Sequence, residues 1–91
     1  MKLARVIGRV WATAKDPSLE GRKILLVRPV RPDGAAAGEA YLAVDSVGAG
    51  FGERVLVVDE GGSAGIVLSL PDPPIRTVVV GIVDSVEVGA E

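Results

Sequence analysis

Gly48-Ala49-Gly50-Phe51-Gly52 is the stretch most suggestive of ligand chemistry, with three glycines at alternate positions between two apolar segments. Dense glycine of this kind often cradles phosphate. A phosphate loop, however, needs Gly-x-Gly-x-x-Gly or Gly-Lys-Ser/Thr opening a helix, and neither pattern is present. The β-branched run at 55–58 predicts a strand, so the helix N-terminus that would receive the anion is missing. Two readings remain: a sharp turn, or backbone kept bare so that another backbone can pack on it.

Four acids, Asp45, Glu53, Asp59 and Glu60, have oxygens suited to a hard cation, but their spacing matches no calcium loop and they read as surface acids. Asp84 interrupts the apolar face of the last β-branched segment. A carboxylate buried there would have a raised pKa and could serve acid–base catalysis. It has no His, Cys or second fixed acid beside it, so it reads instead as the partner of an arginine on the basic first strand, or as a residue at a bulge. The chain has no cysteine and no histidine. That excludes disulfides, thiolate nucleophiles, imidazole bases and Cys/His zinc sites together. The expectation is a protein without catalytic residues, cofactor or metal.

The segments that would position these residues are short. Residues 3–12 alternate, with Ala4, Val6, Gly8, Val10 and Ala12 on one face and Leu3, Arg5, Ile7, Arg9 and Trp11 on the other. Period two predicts a strand, its small face suited to a narrow barrel interior and its mixed face to cover by a neighbouring subunit. A loop with Pro17 and Gly21 comes next. Residues 23–30 predict a strand buried on both faces, which Pro29, Pro32, Asp33 and Gly34 then stop and turn. Residues 40–45 alternate as a third strand and 55–58 form a fourth. Ser63 is placed to cap one helical turn over 63–68. Pro71, Pro73 and Pro74 form a rigid connector, and 77–88 predicts a long fifth strand with Val78, Val80, Ile82, Val86 and Val88 on one face. The fold expected is all-β, a single domain over 1–91: a small five-stranded OB-like β-barrel with one short helical turn. A parallel α/β fold is excluded for want of crossover helices.

Composition adds the next inference. The chain of 91 residues is 48% hydrophobic, 24% charged and 3% aromatic, whereas a domain this small buries only about two thirds of its unfolded surface. Surplus apolar side chains in such a domain are usually buried against further copies of itself. Charge is split: residues 1–31 hold eight basic and two acidic groups (+6), residues 32–91 two basic and ten acidic (−8). That split fits strands of opposite charge lying side by side, or subunits meeting with opposite charge. The apolar runs are too short and interrupted for a membrane span, and no secretory signal is evident at the N-terminus, so a cytoplasmic location is expected.

The ordered motifs resemble one family along almost the whole chain. They are Ala4-x-Val6-x-Gly8-x-Val10, Thr13-x-Lys15, Pro17-x-Leu19-x-Gly21-x-Lys23 and Leu25-Leu26-Val27, then Asp45-x-Val47-Gly48-Ala49-Gly50-x-Gly52-Glu53-x-Val55-Leu56. Gly62-Ser63-Ala64, Pro74-Ile75 and Ile82-Val83-Asp84 complete the set. The chain resembles the pentameric vertex proteins of bacterial microcompartments, the carboxysome and ethanolamine-utilisation vertex family. The resemblance implies a non-enzymatic barrel that assembles into homopentamers, closes the five-fold corners of a polyhedral shell and meets hexameric shell proteins of a different fold. The family usually has Arg where this chain has Gly65, and often Asp where this chain has Arg76; both departures bear on the short helix and on ion pairing beside it.

On this reading Arg5, Ile7, Arg9 and Trp11, together with Gly48, Ala49, Gly50, Phe51 and Gly52, contribute to subunit contacts. An axial opening is lined either by Gly48–Gly52 or by Gly61, Gly62, Ser63 and Ala64. Two rivals belong to other classes. An OB-like module binding single-stranded nucleic acid needs aromatics along a basic groove, against three aromatics and a net charge of −2 here. A ring-forming co-chaperonin is suggested by Gly65-Ile66-Val67-Leu68, but in that family the similar loop lies in the first third of the chain.

Overall fold

The structure is a computed structural model that describes residues 1–11, 16–69 and 75–89. Five strands, β1 (Lys2–Val10), β2 (Ile24–Pro29), β3 (Tyr41–Asp45), β4 (Arg54–Asp59) and β5 (Thr77–Ile82), close a barrel in the order β1-β2-β3-β5-β4. A 3-10 turn (Pro17–Leu19) lies between β1 and β2, and helix α1 (Gly61–Leu68) joins β4 towards β5. All strand pairs are antiparallel except β3 and β5, which run parallel over Val44↔Val78 and Asp45↔Val79. The parallel pair is possible because β4 and α1 together carry the chain back along the barrel. The fold is thus mainly β, without being wholly antiparallel.

Two apolar cores explain why valine and alanine dominate the composition. Inside the barrel lie Val6, Val27, Val55, Val57 and Val79, with Ala4 and Ala43 among them, all at most 1% exposed. A five-stranded barrel has little internal width, so small β-branched side chains fill it and aromatics do not. Outside the barrel, Ala64 and Leu68 of α1 and Leu19 of the 3-10 turn pack on Ile24, Val44 and Val78. The two faces of β2 and β3 are therefore both apolar in places: Leu25 and Ala43 point inward, Ile24 and Val44 under the helix. Each fully buried valine contributes about 1.5–3 kcal/mol relative to exposure.

Several expectations change. β1 ends at Val10, leaving Trp11 beyond the strand, and residues 12–15 fall outside the described residues. Strict alternation in β1 fails at a bulge: Val6 pairs with Val27, but Gly8 pairs with Leu26. The extra residue reverses the facing of the residues after it. Val10, expected inside, packs towards the outer core; Arg9, expected outside, pairs with the inward Leu25 at the barrel mouth. In β5, Val79 points into the interior while Val78 and Val80 lie on the helix-covered face, and a second bulge follows where Leu56 pairs with Gly81. β5 stops at Ile82 instead of 88, because the barrel offers no partner strand further on. The proline connector, residues 71–74, lies outside the described residues. No helix among the described residues is long and apolar enough to cross a membrane.

Candidate subunit interface

The glycine-rich segment closes one end of the barrel. Between β3 and β4 it turns across the mouth, and Ala49, fully buried, plugs the interior core. Gly48 (φ +78°) and Gly52 (φ +85°) occupy the left-handed region, which a residue with a Cβ enters at a cost of about 1–2 kcal/mol. Gly50 does not need that conformation. A Cβ built on it would meet only the Glu53 carboxylate, at 3.4 Å. Two of the three glycines thus shape a turn, while Gly50 leaves backbone bare.

The loop is wired by charged side chains. The Asp45 carboxylate accepts from the N–H groups of Val47 (3.1 Å), Gly48 (3.0 Å) and Ala49 (3.2 Å), an Asx-type turn built on consecutive backbone donors. Lys23 pairs with the same carboxylate at 3.4 Å and donates to the Ala49 carbonyl at 2.6 Å. Gly50 N–H donates to Glu53 Oε1 at 2.6 Å, and Arg5 donates to the Gly52 carbonyl at 2.7 Å. Backbone bonds from Val6 to Glu53 and from Gly52 to Val6 tie the loop to β1. The Asp45–Lys23 wiring escaped the sequence reading. Its signal was an Asp three residues before a glycine, where Asp commonly bonds its own downstream backbone.

What the loop turns outward is apolar. Phe51 is 82% exposed and Trp11 79%. Arg9 lies over the Trp11 ring, 4.1 Å from its centroid. Between the two aromatics opens a cleft of about 440 Å³, floored by Val6, Leu25 and Ala49 and edged by Arg9 and Lys23. Arg5, Arg9, Trp11 and the 48–52 loop therefore come together at one end of the barrel. Ile7 is half-buried at the β1 bulge.

The other candidate group lies at the opposite end of β4, which at six residues separates the two by about 20 Å. Gly61 opens α1, a two-turn helix in place of the single turn expected. Glu60, not Ser63, is the N-cap: its carboxylate accepts from the Gly62 N–H (2.7 Å), the Ser63 N–H (3.0 Å) and the Ser63 hydroxyl. These bonds, the Ser63 hydroxyl foremost, hold Glu60 below its ordinary pKa of 4.5. A longer acidic side chain reaches past one residue and leaves Ser63 inside the first turn. Ala64 is fully buried in the outer core, so Gly62 and Ser63 are the surface members of this group. Gly65 is buried in α1, and at the helix C-terminus Arg22 donates to the Leu68 carbonyl at 2.7 Å. Gly65-Ile66-Val67-Leu68 is helix, not the mobile loop of a co-chaperonin. Arg76 pairs with Asp59 at 3.2 Å, which also pairs with Lys2 at 3.3 Å.

The remaining acids are engaged in the same way. Asp45, Glu53, Asp59 and Glu60 each hold backbone or a cation of this chain, and among the described residues no three acids cluster around a metal position. Asp84 is exposed, neither buried nor paired with a first-strand arginine; its backbone carbonyl accepts from Arg54 at 3.1 Å. β5 has already ended two residues earlier, which is why the carboxylate meets solvent. Tyr41 is half-buried, and burial together with the nearby Asp59 charge raises its pKa.

Comparison with known proteins gives one consistent answer. A family profile described as ethanolamine utilisation protein EutN/carboxysome matches residues 1–84. The bacterial microcompartment shell vertex protein PduN of Salmonella typhimurium is 52% identical over 89 residues, covering 93% of this chain and 97% of that protein. The carboxysome shell vertex protein CcmL of a Nostoc species is 42% identical, covering 97% and 87%. Among solved structures, the pentameric microcompartment shell protein GrpN of Rhodospirillum rubrum superposes with a TM-score of 0.85 at 42% identity, over 98% of this chain and all of that one.

Proposed function

The chain belongs to the EutN/CcmL family, and from that membership we propose that it is a structural shell protein that forms homopentamers at the five-fold vertices of a bacterial microcompartment. The carrying observation is that the sequence matches a shell vertex protein, and the barrel a pentameric shell protein, over nearly their full lengths. The function is structural, not enzymatic. The physical picture agrees: the Asp45 and Glu53 carboxylates at the loop end are satisfied within the chain, while Trp11 and Phe51 stand outside it. Aromatics of that size, so exposed on so small a domain, point to burial in an assembly. The single-stranded nucleic-acid reading finds no support among the relatives.

Within the ring, the Trp11–Phe51 end of each barrel meets a different patch of the next copy, and closed rotation results from repeating that contact. The pentamer in turn seats among hexameric shell proteins that tile flat facets, in a compartment of the cytoplasm. Native mass spectrometry of the purified chain tests the ring directly. Five-fold mass at micromolar concentration is the expected result; a stable monomer would overturn the reading. Co-expression with hexameric shell proteins tests the corner, since shells made without this chain should fail to close.

A further inference from the structure

We propose that the Trp11–Phe51 cleft is the seat for the carboxy-terminal segment of the neighbouring copy, an inference that rests on the ring described above. The segment and the cleft are complementary in three respects. The first is exposure. Past β5 the chain is anchored by Val83 N–H to the Arg54 carbonyl (2.9 Å) and by Arg54 to the Asp84 carbonyl (3.1 Å). From residue 84 to 89 every residue is exposed, with Val86 at 37% and Val88 at 72%. These two valines are apolar surface that this barrel leaves uncovered. No residue of its own segment lines its own cleft, whose described lining ends at Phe51.

The second is charge. The segment carries Asp84 and Glu87, neither in a salt bridge among the described residues. The cleft is edged by Lys23, already paired with Asp45, and by Arg9, which stacks on Trp11 and meets no carboxylate within 4 Å among the described residues. Part of the charge split is met within the chain by Lys2–Asp59 and Lys23–Asp45, and Arg9 is left for a contact between copies. The third is reach. Seven residues from 83 to 89 span at most about 25 Å when extended, and they leave the barrel beside Arg54, which pairs with Arg5 at the loop end. A tail on one copy and a cleft on the next make a heterologous contact, the kind that closes into a ring.

The test uses the full chain beside a chain ending at Val83, compared by native mass spectrometry and by circular dichroism. The shortened chain is expected to keep the β spectrum and cooperative melt of the barrel while its ring dissociates at a protein concentration at least tenfold higher. Arg9→Glu, and separately Asp84→Lys with Glu87→Lys, should each weaken the ring, and the three together should restore it. That rescue separates a specific pairing from a general loss of folding. If the full chain is a monomer, the ring itself is wrong. If the full chain forms rings and the shortened chain forms them equally well, the ring stands and the tail-in-cleft contact is wrong. A tail that folds onto its own cleft in solution gives that same second result.

Discussion

The two ends of β4 solve opposite problems. At the Arg54 end, the chain turns its polar groups inward: Asp45, Lys23, Glu53 and Arg5 all bond backbone of the loop. Large apolar groups, Phe51 and Trp11, stand outside. At the Asp59 end, α1 buries Ala64 and Leu68 against the outer face of the sheet and presents Glu60, Ser63 and the Asp59–Arg76 pair to solvent. One end is rigid from within and aromatic without; the other is apolar within, and its helix presents the exposed Ile66 beside its polar groups. The contrast fits the proposed ring, in which the loop end carries the contact between copies. The loop end should be sensitive in both assembly and folding, through different residues, and the helix end mainly in folding.

Asp45→Ala is the largest disturbance expected. It removes three backbone hydrogen bonds and the partner of Lys23, and leaves Ala49 N–H without its acceptor. A loss of about 2–3 kcal/mol is expected, lowering Tm by roughly 8–20 °C for a domain of this size. Thermal denaturation followed by circular dichroism measures it. A shift below about 3 °C would mean the loop holds its shape without Asp45, and the rigid-from-within description would fall.

The glycines separate folding from assembly more finely. Gly52→Val forces a β-branched side chain to φ +85°, so a destabilisation of about 1–2 kcal/mol is expected in the barrel itself. Gly50→Val should cost the barrel under about 1 kcal/mol, since only the movable end of Glu53 lies near its Cβ. On the proposed contact a neighbouring backbone packs there, so the added side chain should nevertheless impair ring formation. Melting temperature and native mass, measured on both variants, decide the matter. Normal rings from Gly50→Val would reduce the loop to a turn.

How much of this was legible beforehand depends on the facts that sequence periodicity can encode. Five strands and the barrel were readable, because period two is a local fact. The facing of Arg9 and Val10 was not. A bulge at Ile7 leaves no mark in a run that reads as alternating on either side of it, so one inserted residue reversed every assignment after it. Val79, the inward residue of β5, was hidden for a different reason: Val78 and Val80 on either side of it read as the apolar face. The length of β5 was overread because 77–88 is rich in β-branched residues, and propensity does not know that the partner strand ends. The site fared similarly. Glycine spacing located the loop, whereas its wiring by Lys23 depends on a contact across 26 residues that no short motif records.

The smallest effect belongs to the helix end and tests the other half of the comparison. The bonds from Ser63 and Gly62 lower the folded-state pKa of Glu60 below 4.5. A depressed carboxylate pKa adds stability that is present above the unfolded value and disappears as pH falls through the folded one. The cap's contribution should therefore be intact near neutrality and weaken only below about pH 4.5. Glu60 is fully solvent-exposed, so the change is modest and is screened by salt. Glu60→Gln should flatten the acid side of the Tm–pH curve without altering the mass of the ring at pH 7, because its carbonyl oxygen still accepts one N–H while the charge is gone. Matching Tm–pH curves for the two proteins would show that the cap carries no charge-dependent stability. Rings lost at neutral pH in this variant would mean that the helix end, too, is a contact between copies.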